Sequence, residues 1–335
     1  MADRDRPTTR KVGLMRMRVA VPVVLVVALF AAVVVVVRFT REGPRGSDTC
    51  ISGRDRVAVT VTIADEGVTR VELLRAGRPP LDVAPDWLAG GPSISPDGTE
   101  IVVHRARQMK YDGSGPGRSE LWAMSLDGSR PRPLTHGGYA VDPDWSPDGR
   151  SIVFRERDAL GKGFLSIIDA RGPVTQPHRH LMTFPTLYGS TAAYSPTWSP
   201  DGRRIAYVQG GRVMTMSANG AHRQVVTRID GAAAVAWRPD GRALTVSRVA
   251  PGTVHRTVWA VDARTGDRTL LGTGSAAHWS ADGARLYYLD SRFQQVRVRR
   301  GDDADAVDQA IRPSPGADPR SRAFRFDAGF DVAGC

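Results

Sequence analysis

A chain of 335 residues with 41% hydrophobic content has enough apolar material for one large or two ordinary domains. Its net charge of +11 and pI near 10.4 raise the question of nucleic acid. The positive charge is nearly all arginine, scattered through turn sequences; a dispersed basic surface suits anionic lipid heads or wall polymers, builds no groove for a phosphate backbone, and argues against nucleic acid.

The first element is an apolar run, VAVPVVLVVALFAAVVVVV, from Val19 to Val37. Nineteen such residues at ~1.5 Å rise span a bilayer core, so a transmembrane helix is expected over 19–37. A cleaved signal peptide is the alternative, but Arg38, Phe39 and Thr40 follow where an A-x-A site would stand, and Cys50 has no lipobox. Arg4, Arg6, Arg10, Lys11, Arg16 and Arg18 precede the run, against Arg38, Arg41 and Arg45 behind it. The bias puts a basic arm (1–18) in the cytoplasm and the body outside, in a single-pass cell-membrane protein. Residues 38–49 read as a polar tether, and 50–335 as the folded domain.

That domain repeats a phrase. SISPDGTEIVVH (93–104), DWSPDGRSIVF (144–154), TWSPDGRRIAY (197–207), AWRPDGRALTV (236–246) and HWSADGARLYY (278–288) align on Asp97, Asp148, Asp201, Asp240 and Asp282. The spacings of 51, 53, 39 and 42 residues fit propeller blades. In each, an aromatic wedge such as Trp145 ends a strand, Ser-Pro-Asp-Gly turns the chain, and a β-branched run begins the next strand. Third strands such as LWAMS (121–125) and FLSIID (164–169) turn through Asp127-Gly128, Asn219-Gly220 or Thr265-Gly266 into a fourth. Four antiparallel strands make a blade.

RVAVTVTIADEGVTRVELLRAG (56–77) lacks the phrase ahead of it, so its inner strand is expected from AFRFDAGFDV (323–332). The fold expected is therefore all-β, a six-bladed propeller of four-stranded antiparallel blades closed by exchange between its ends. Closure would bring together Cys50 and Cys335, the two cysteines of the chain, as a disulfide.

The W-S-P-D-G phrase and LWAMSLDGSRPRPLT (121–135) resemble the TolB-type propeller repeat over most of residues 56–289. The resemblance implies an exported propeller that binds something. TolB carries an additional N-terminal domain where this chain has its apolar run, so the resemblance covers the propeller alone.

Chemistry is sparse. No G-x-S-x-G elbow, Walker phrase or dinucleotide fingerprint occurs. His178 and His180 form a pair with no third ligand nearby, and Asp302, Asp303 and Asp305 lack calcium-loop register, so neither a metal nor a cofactor is expected. The turn aspartates are expected to brace backbone. Inner strands place Asp142, Asp144, Tyr194, Thr197 and His278 near the channel mouth, to hold a ligand or hydrate the channel. The segment 172–194 carries Met182, Phe184, Leu187 and Tyr188, a partner surface unless Leu181–Phe184 pack internally as an outer strand. The expectation is a non-catalytic, membrane-tethered binding or scaffolding module engaging an envelope protein or cell-wall polymer. The alternative is a propeller enzyme of the metal-dependent lyase or lactonase type, with its site at the channel mouth.

Overall fold

The structure, a computed structural model, describes residues 34–35, 56–63, 68–75, 78–85, 87–106, 118–185, 193–252, 255–290, 296–301, 309–311, 324–325 and 330–333. The expected arm, tether and all of the anchor but Val34–Val35 lie outside the described residues, as do Cys50, Cys335, Leu187 and Tyr188. Among the described residues no helix is long and apolar enough to cross a membrane.

The order is strand after strand. A short β1 (Val34–Val35) pairs with β25 (Phe324–Arg325). Strands β2 (Arg56–Ile63), β3 (Val68–Arg75) and β4 (Arg78–Asp82) form a meander, and β26 (Phe330–Ala333) adds to its inner edge. That last pairing is antiparallel, Arg56 to Ala333 through Val59 to Phe330, so the far end of the chain supplies the strand that the first meander lacks. Next come β5 (Leu88–Ile94), β6 (Glu100–Ala106), β7 (Ser119–Ser125) and β8 (Arg132–Pro133). They meet β9 (Tyr139–Trp145), β10 (Ser151–Arg157), β11 (Gly163–Asp169) and β12 (Arg179–Phe184) through one parallel bridge, Ser119 to Tyr139.

Three further four-stranded meanders follow. The first is β13 (Ala193–Trp198), β14 (Arg204–Gln209), β15 (Arg212–Ser217) and β16 (Gln224–Arg228). The second is β17 (Ala232–Trp237), β18 (Ala243–Val249), β19 (Arg256–Asp262) and β20 (Arg268–Thr273). The last is β21 (Ser275–Trp279), β22 (Arg285–Leu289), β23 (Val296–Arg300) and β24 (Gln309–Ile311). The fold is all-β, built of four-stranded antiparallel sheets in a propeller arrangement.

The repeated phrase explains each first hairpin. In the β9–β10 turn, Ser146 Oγ donates to Asp148 Oδ1 at 2.6 Å and accepts the amide of Ser151 at 2.9 Å, while Asp148 Oδ1 accepts the amide of Arg150 at 3.0 Å. Gly149 closes it at φ +68°, a region costly to any residue with a Cβ. Asp97, Asp201 and Asp282 repeat the pattern with Ser95, Ser199 and Ser280. The aspartates brace backbone, as the sequence suggests.

The core lies between sheets. Trp145 is buried against Leu121 and Ala123 of β7 on one side and Ile152 and Phe154 of β10 on the other. Trp237 and Trp279 repeat this wedge two and three sheets on. Burying so large a ring at these three joints removes apolar area from water at about 25 cal/mol per Å². The turns also touch: a Cβ at Gly149, Gly202, Gly241 or Gly283 would lie 3.6, 3.5, 3.9 or 3.8 Å from Pro96, Pro147, Pro200 or Pro239 of the preceding turn.

Candidate functional site at the inner strands

The inner strands share a feature that positions the site. Each of β5, β9, β13, β17 and β21 slips register against its neighbour, between Gly90 and Ser93 in β5 and opposite Val153 and Arg155 in β9. Gly91, Asp142, Ser195 and Ala276 sit in these bulges, three residues before Ile94, Trp145, Trp198 and Trp279, at φ +56°, +53°, +49° and +49°. A bulge re-aims the side chain it carries, and a non-glycine residue in the left-handed region persists only when its surroundings hold it there.

Asp142 is so held. Its Oδ2 lies 3.0 Å from Arg155 Nε, on the second strand of its own sheet. The Arg155 guanidinium, nearly buried, stands 4.8 Å over the ring of Tyr194 in the next sheet. On the other side is His104, on the second strand of the preceding sheet. Among the described residues its buried Nδ1 has no hydrogen-bond partner, and it faces Gly91, where a Cβ would approach to 2.9 Å. Burial holds the His104 pKa down to about 4; Asp142 opposes the shift and Arg155 adds to it, so the imidazole is neutral at physiological pH. Three consecutive sheets thus converge an imidazole, a carboxylate, a guanidinium and a phenol.

Of the residues expected at the channel mouth, Asp142 and Tyr194 join this cluster through Arg155. Asp144 does something else: Oδ2 accepts the amide of Trp198 at 2.7 Å and Oδ1 accepts Ser93 Oγ at 3.4 Å. It ties its own sheet to the one before and the one after. Thr197 lies beside Trp198 on β13, and His278 holds the equivalent position of β21; both are half-buried. His104 and Arg155 were missed by reading the inner strands alone. They occupy one column of the repeat, where the remaining phrases have Val208, Ser247 and Leu289, and that break from small or apolar to ionisable was the available signal.

Phe184 is no exposed anchor. It ends β12 in an apolar cluster with Val153, Leu165 and Tyr207, 3% exposed, its ring laid over Gly163. Met182 is buried in the same cluster, so the outer-strand reading of Leu181–Phe184 holds.

The His178–His180 pair has a third group after all. Glu156 Oε2 lies 2.7 Å from His178 Nδ1, and Oε1 lies 3.3 Å from His180 Nδ1, which Ser166 Oγ also meets at 2.9 Å. This places a serine, a histidine and a carboxylate together. It is no nucleophilic relay, which needs the serine and the acid on opposite ring nitrogens. Here both meet Nδ1, and Ser166 is fully buried. The arrangement fastens β12 to β10 across β11. Among the described residues no three His, Cys, Asp or Glu side chains are disposed to hold a metal ion.

No protein-family model matches the chain. An uncharacterised protein of Agrobacterium fabrum is 31% identical over 125 residues, 36% of this chain and 39% of that protein. An uncharacterised peptidase of Bacillus subtilis is 34% identical over 118 residues, 34% of this chain and 16% of that protein. The matches therefore span well under half the length of both relatives. Among solved structures, TolB from Acinetobacter baumannii superposes with a TM-score of 0.57 at 16% identity, covering 83% of this chain and 65% of that one. A puromycin hydrolase superposes at 0.51 with 18% identity, covering 81% of this chain and 47% of that one. The fold is that of a TolB-type β-propeller. The expectation of a non-catalytic module is corrected, because a relative named as a peptidase matches part of this chain in sequence and a neighbour named as a hydrolase shares its fold.

Proposed function

We propose that the chain is a six-bladed propeller enzyme whose substrate meets the polar sector formed by His104, Asp142, Arg155 and Tyr194. Support for six blades comes from the inner strands: β26, β5, β9, β13, β17 and β21 neighbour one another in turn, and β21 neighbours β26. The apolar run over 19–37 supports a tether that holds this propeller outside the membrane.

The observation that carries the enzyme reading is the concentration of polar groups. His104 and Arg155 occupy a column that holds Val208, Ser247 and Leu289 in the other phrases, and Asp142 occupies a bulge that holds Gly91, Ser195 and Ala276. A structural column would have no need of charge in one sector. The chemistry suited to the set is hydrolysis or elimination on a carbonyl-bearing substrate. Arg155, fixed by Asp142, offers positive charge to a developing oxyanion, and His104, held neutral, takes or relays a proton. The peptidase name of the Bacillus relative and the hydrolase neighbour favour this class.

The test is turnover by the purified full-length protein on aminoacyl amides, carboxylic esters, lactones and uronic oligosaccharides. His104→Ala is expected to lower kcat on the accepted class by about 100-fold, the scale of a lost acid–base group, with folding unchanged. No turnover on any class, or an unaffected His104→Ala, overturns the enzyme reading. The second reading then takes its place: a TolB-like module binding an envelope protein or cell-wall polymer, which the superposition on TolB favours.

A further inference from the structure

The first turn of each sheet and its third turn emerge at the same end, because the strands alternate in direction. That end carries a set of arginines with a common origin. Arg150, Arg203 and Arg242 each follow the glycine of a Pro-Asp-Gly turn in consecutive sheets, and all three are exposed. Each uses its backbone amide to reach the turn aspartate: Arg150 to Asp148 at 3.0 Å, Arg203 to Asp201 at 3.0 Å, Arg242 to Asp240 at 2.9 Å. Among the described residues none of these three guanidiniums makes an ion pair or a side-chain hydrogen bond, whereas Arg171 and Arg223 at the same end are engaged by Glu100 and by the Leu181 carbonyl. The turns that carry them are not independent, since a Cβ at Gly202 or Gly241 would lie 3.5 or 3.9 Å from Pro147 or Pro200. Three exposed guanidiniums thus stand in a row on an arc of touching turns.

We propose that this arc binds a linear polymer bearing repeated phosphate groups. The carboxylates nearest the arginines are spoken for: Asp148 and Asp201 accept from Ser146 and Ser199 and from turn amides, and Asp240 lies 3.4 Å from Arg238. Arg150 and Arg203 lend Asp148 and Asp201 a longer-range attraction, while their guanidinium N–H groups remain open to an outside anion. Phosphate fits better than carboxylate, because isolated guanidiniums on separate turns need an anion whose oxygens accept from any approach. A thread also fits better than a lipid surface. Acidic tips alternate with the arginines and repel a continuous anionic plane, and Leu160, the most exposed large apolar residue described, lies in the β10–β11 hairpin at the opposite end.

The probe is inorganic polyphosphate of uniform length, titrated against the full-length protein at several salt concentrations. Wild type is expected to bind with an affinity that falls linearly on a log–log plot against salt. Arg150→Gln/Arg203→Gln/Arg242→Gln is expected to weaken binding by about tenfold or more and to flatten that slope. A control triple at the other end, Arg118→Gln/Arg212→Gln/Arg228→Gln, is expected to leave the affinity within about twofold, its arginines meeting no polymer. Absent binding, or equal losses in the two triples, overturns the proposal. So does stronger arginine-dependent capture by polygalacturonate or by phosphatidylglycerol vesicles than by polyphosphate. Because the arc shares no residue with the His104 site, its failure leaves the enzyme reading untouched.

Discussion

Asp142 joins two unfavourable conditions that cancel only together. Its backbone is left-handed at φ +53°, and its carboxylate forms an ion pair with the nearly buried Arg155. Replacing it by glycine relaxes the backbone by about 1 kcal/mol but removes a carboxylate 3.0 Å from a nearly buried guanidinium, and breaking such an ion pair costs about 3–5 kcal/mol. Asn tolerates the left-handed region and loses the same ion pair. Both Asp142→Gly and Asp142→Asn are therefore expected to destabilise, with Asp142→Gly the less affected; urea unfolding of the two variants checks the order. None of this was legible beforehand. Gly91-Pro92, Asp142-Pro143 and Ser195-Pro196 share a proline after the bulge residue, yet a residue before proline is ordinarily pushed toward the extended region, so the pattern argued for plain strand.

At the scale of the element, the Ser-Pro-Asp-Gly turn is the part of the molecule most fully written in its letters. Serine, proline, aspartate and glycine each have one role there, and four of the five phrases carry the Ser-to-Asp hydrogen bond. That bond, first among the causes, holds the Asp97, Asp148, Asp201 and Asp282 carboxyls below the usual carboxylate range. The sign follows: a carboxyl lowered on folding contributes stability above its unfolded value, and the contribution is lost as pH falls through the folded one. These groups are exposed, so each contribution is small and screened by salt. Wild type is expected to lose thermal stability below about pH 4, and a variant with all four serines changed to alanine to show a shallower acid limb from a lower plateau. Melting curves across pH 2–7 check this. The phrase was also legible as a hairpin because its period changes in place, from the tight turn to a run such as Ile152–Phe154 whose residues are buried on both faces. What the hairpin could not announce was where its second strand ends. His104 and Arg155 come one residue after the buried run, and whether a side chain there enters solvent or a cluster depends on the neighbouring sheets.

Over the whole molecule, the joint that decides stability is the pairing of β26 with β2. Every other meander is continuous in sequence, so this contact is the one that completes a four-stranded sheet from the two ends of the described chain; the β1–β25 pair joins them only as a two-stranded ribbon. Deleting residues 330–335 removes the inner strand and exposes an unpaired edge on β2. The truncated protein is expected to melt at least ~4 °C lower, the shift that about 2 kcal/mol produces in a large domain, and to be cleaved first within residues 56–82 under limited proteolysis. An unchanged melting point with the same cleavage map would count against the role given to that strand. This closing exchange was legible because a missing phrase at one end matched a surplus strand at the other. The polar sector was not, because it is a property of three sheets and no single repeat contains it.

The contact between each turn glycine and the proline of the turn before it has a bearing on how such a molecule is made. Because the joint from Pro147 to Gly202 is of the same kind as those from Pro96 to Gly149 and from Pro200 to Gly241, a duplicated unit inserted at any of them meets surfaces already shaped for it. Growth by copying is then easy along the row, and the number of units is set at the seam where the ends meet. A lineage can change the size of the ring without inventing an interface, and each added copy begins life with a spare arginine and a spare bulge on which new chemistry can be tried.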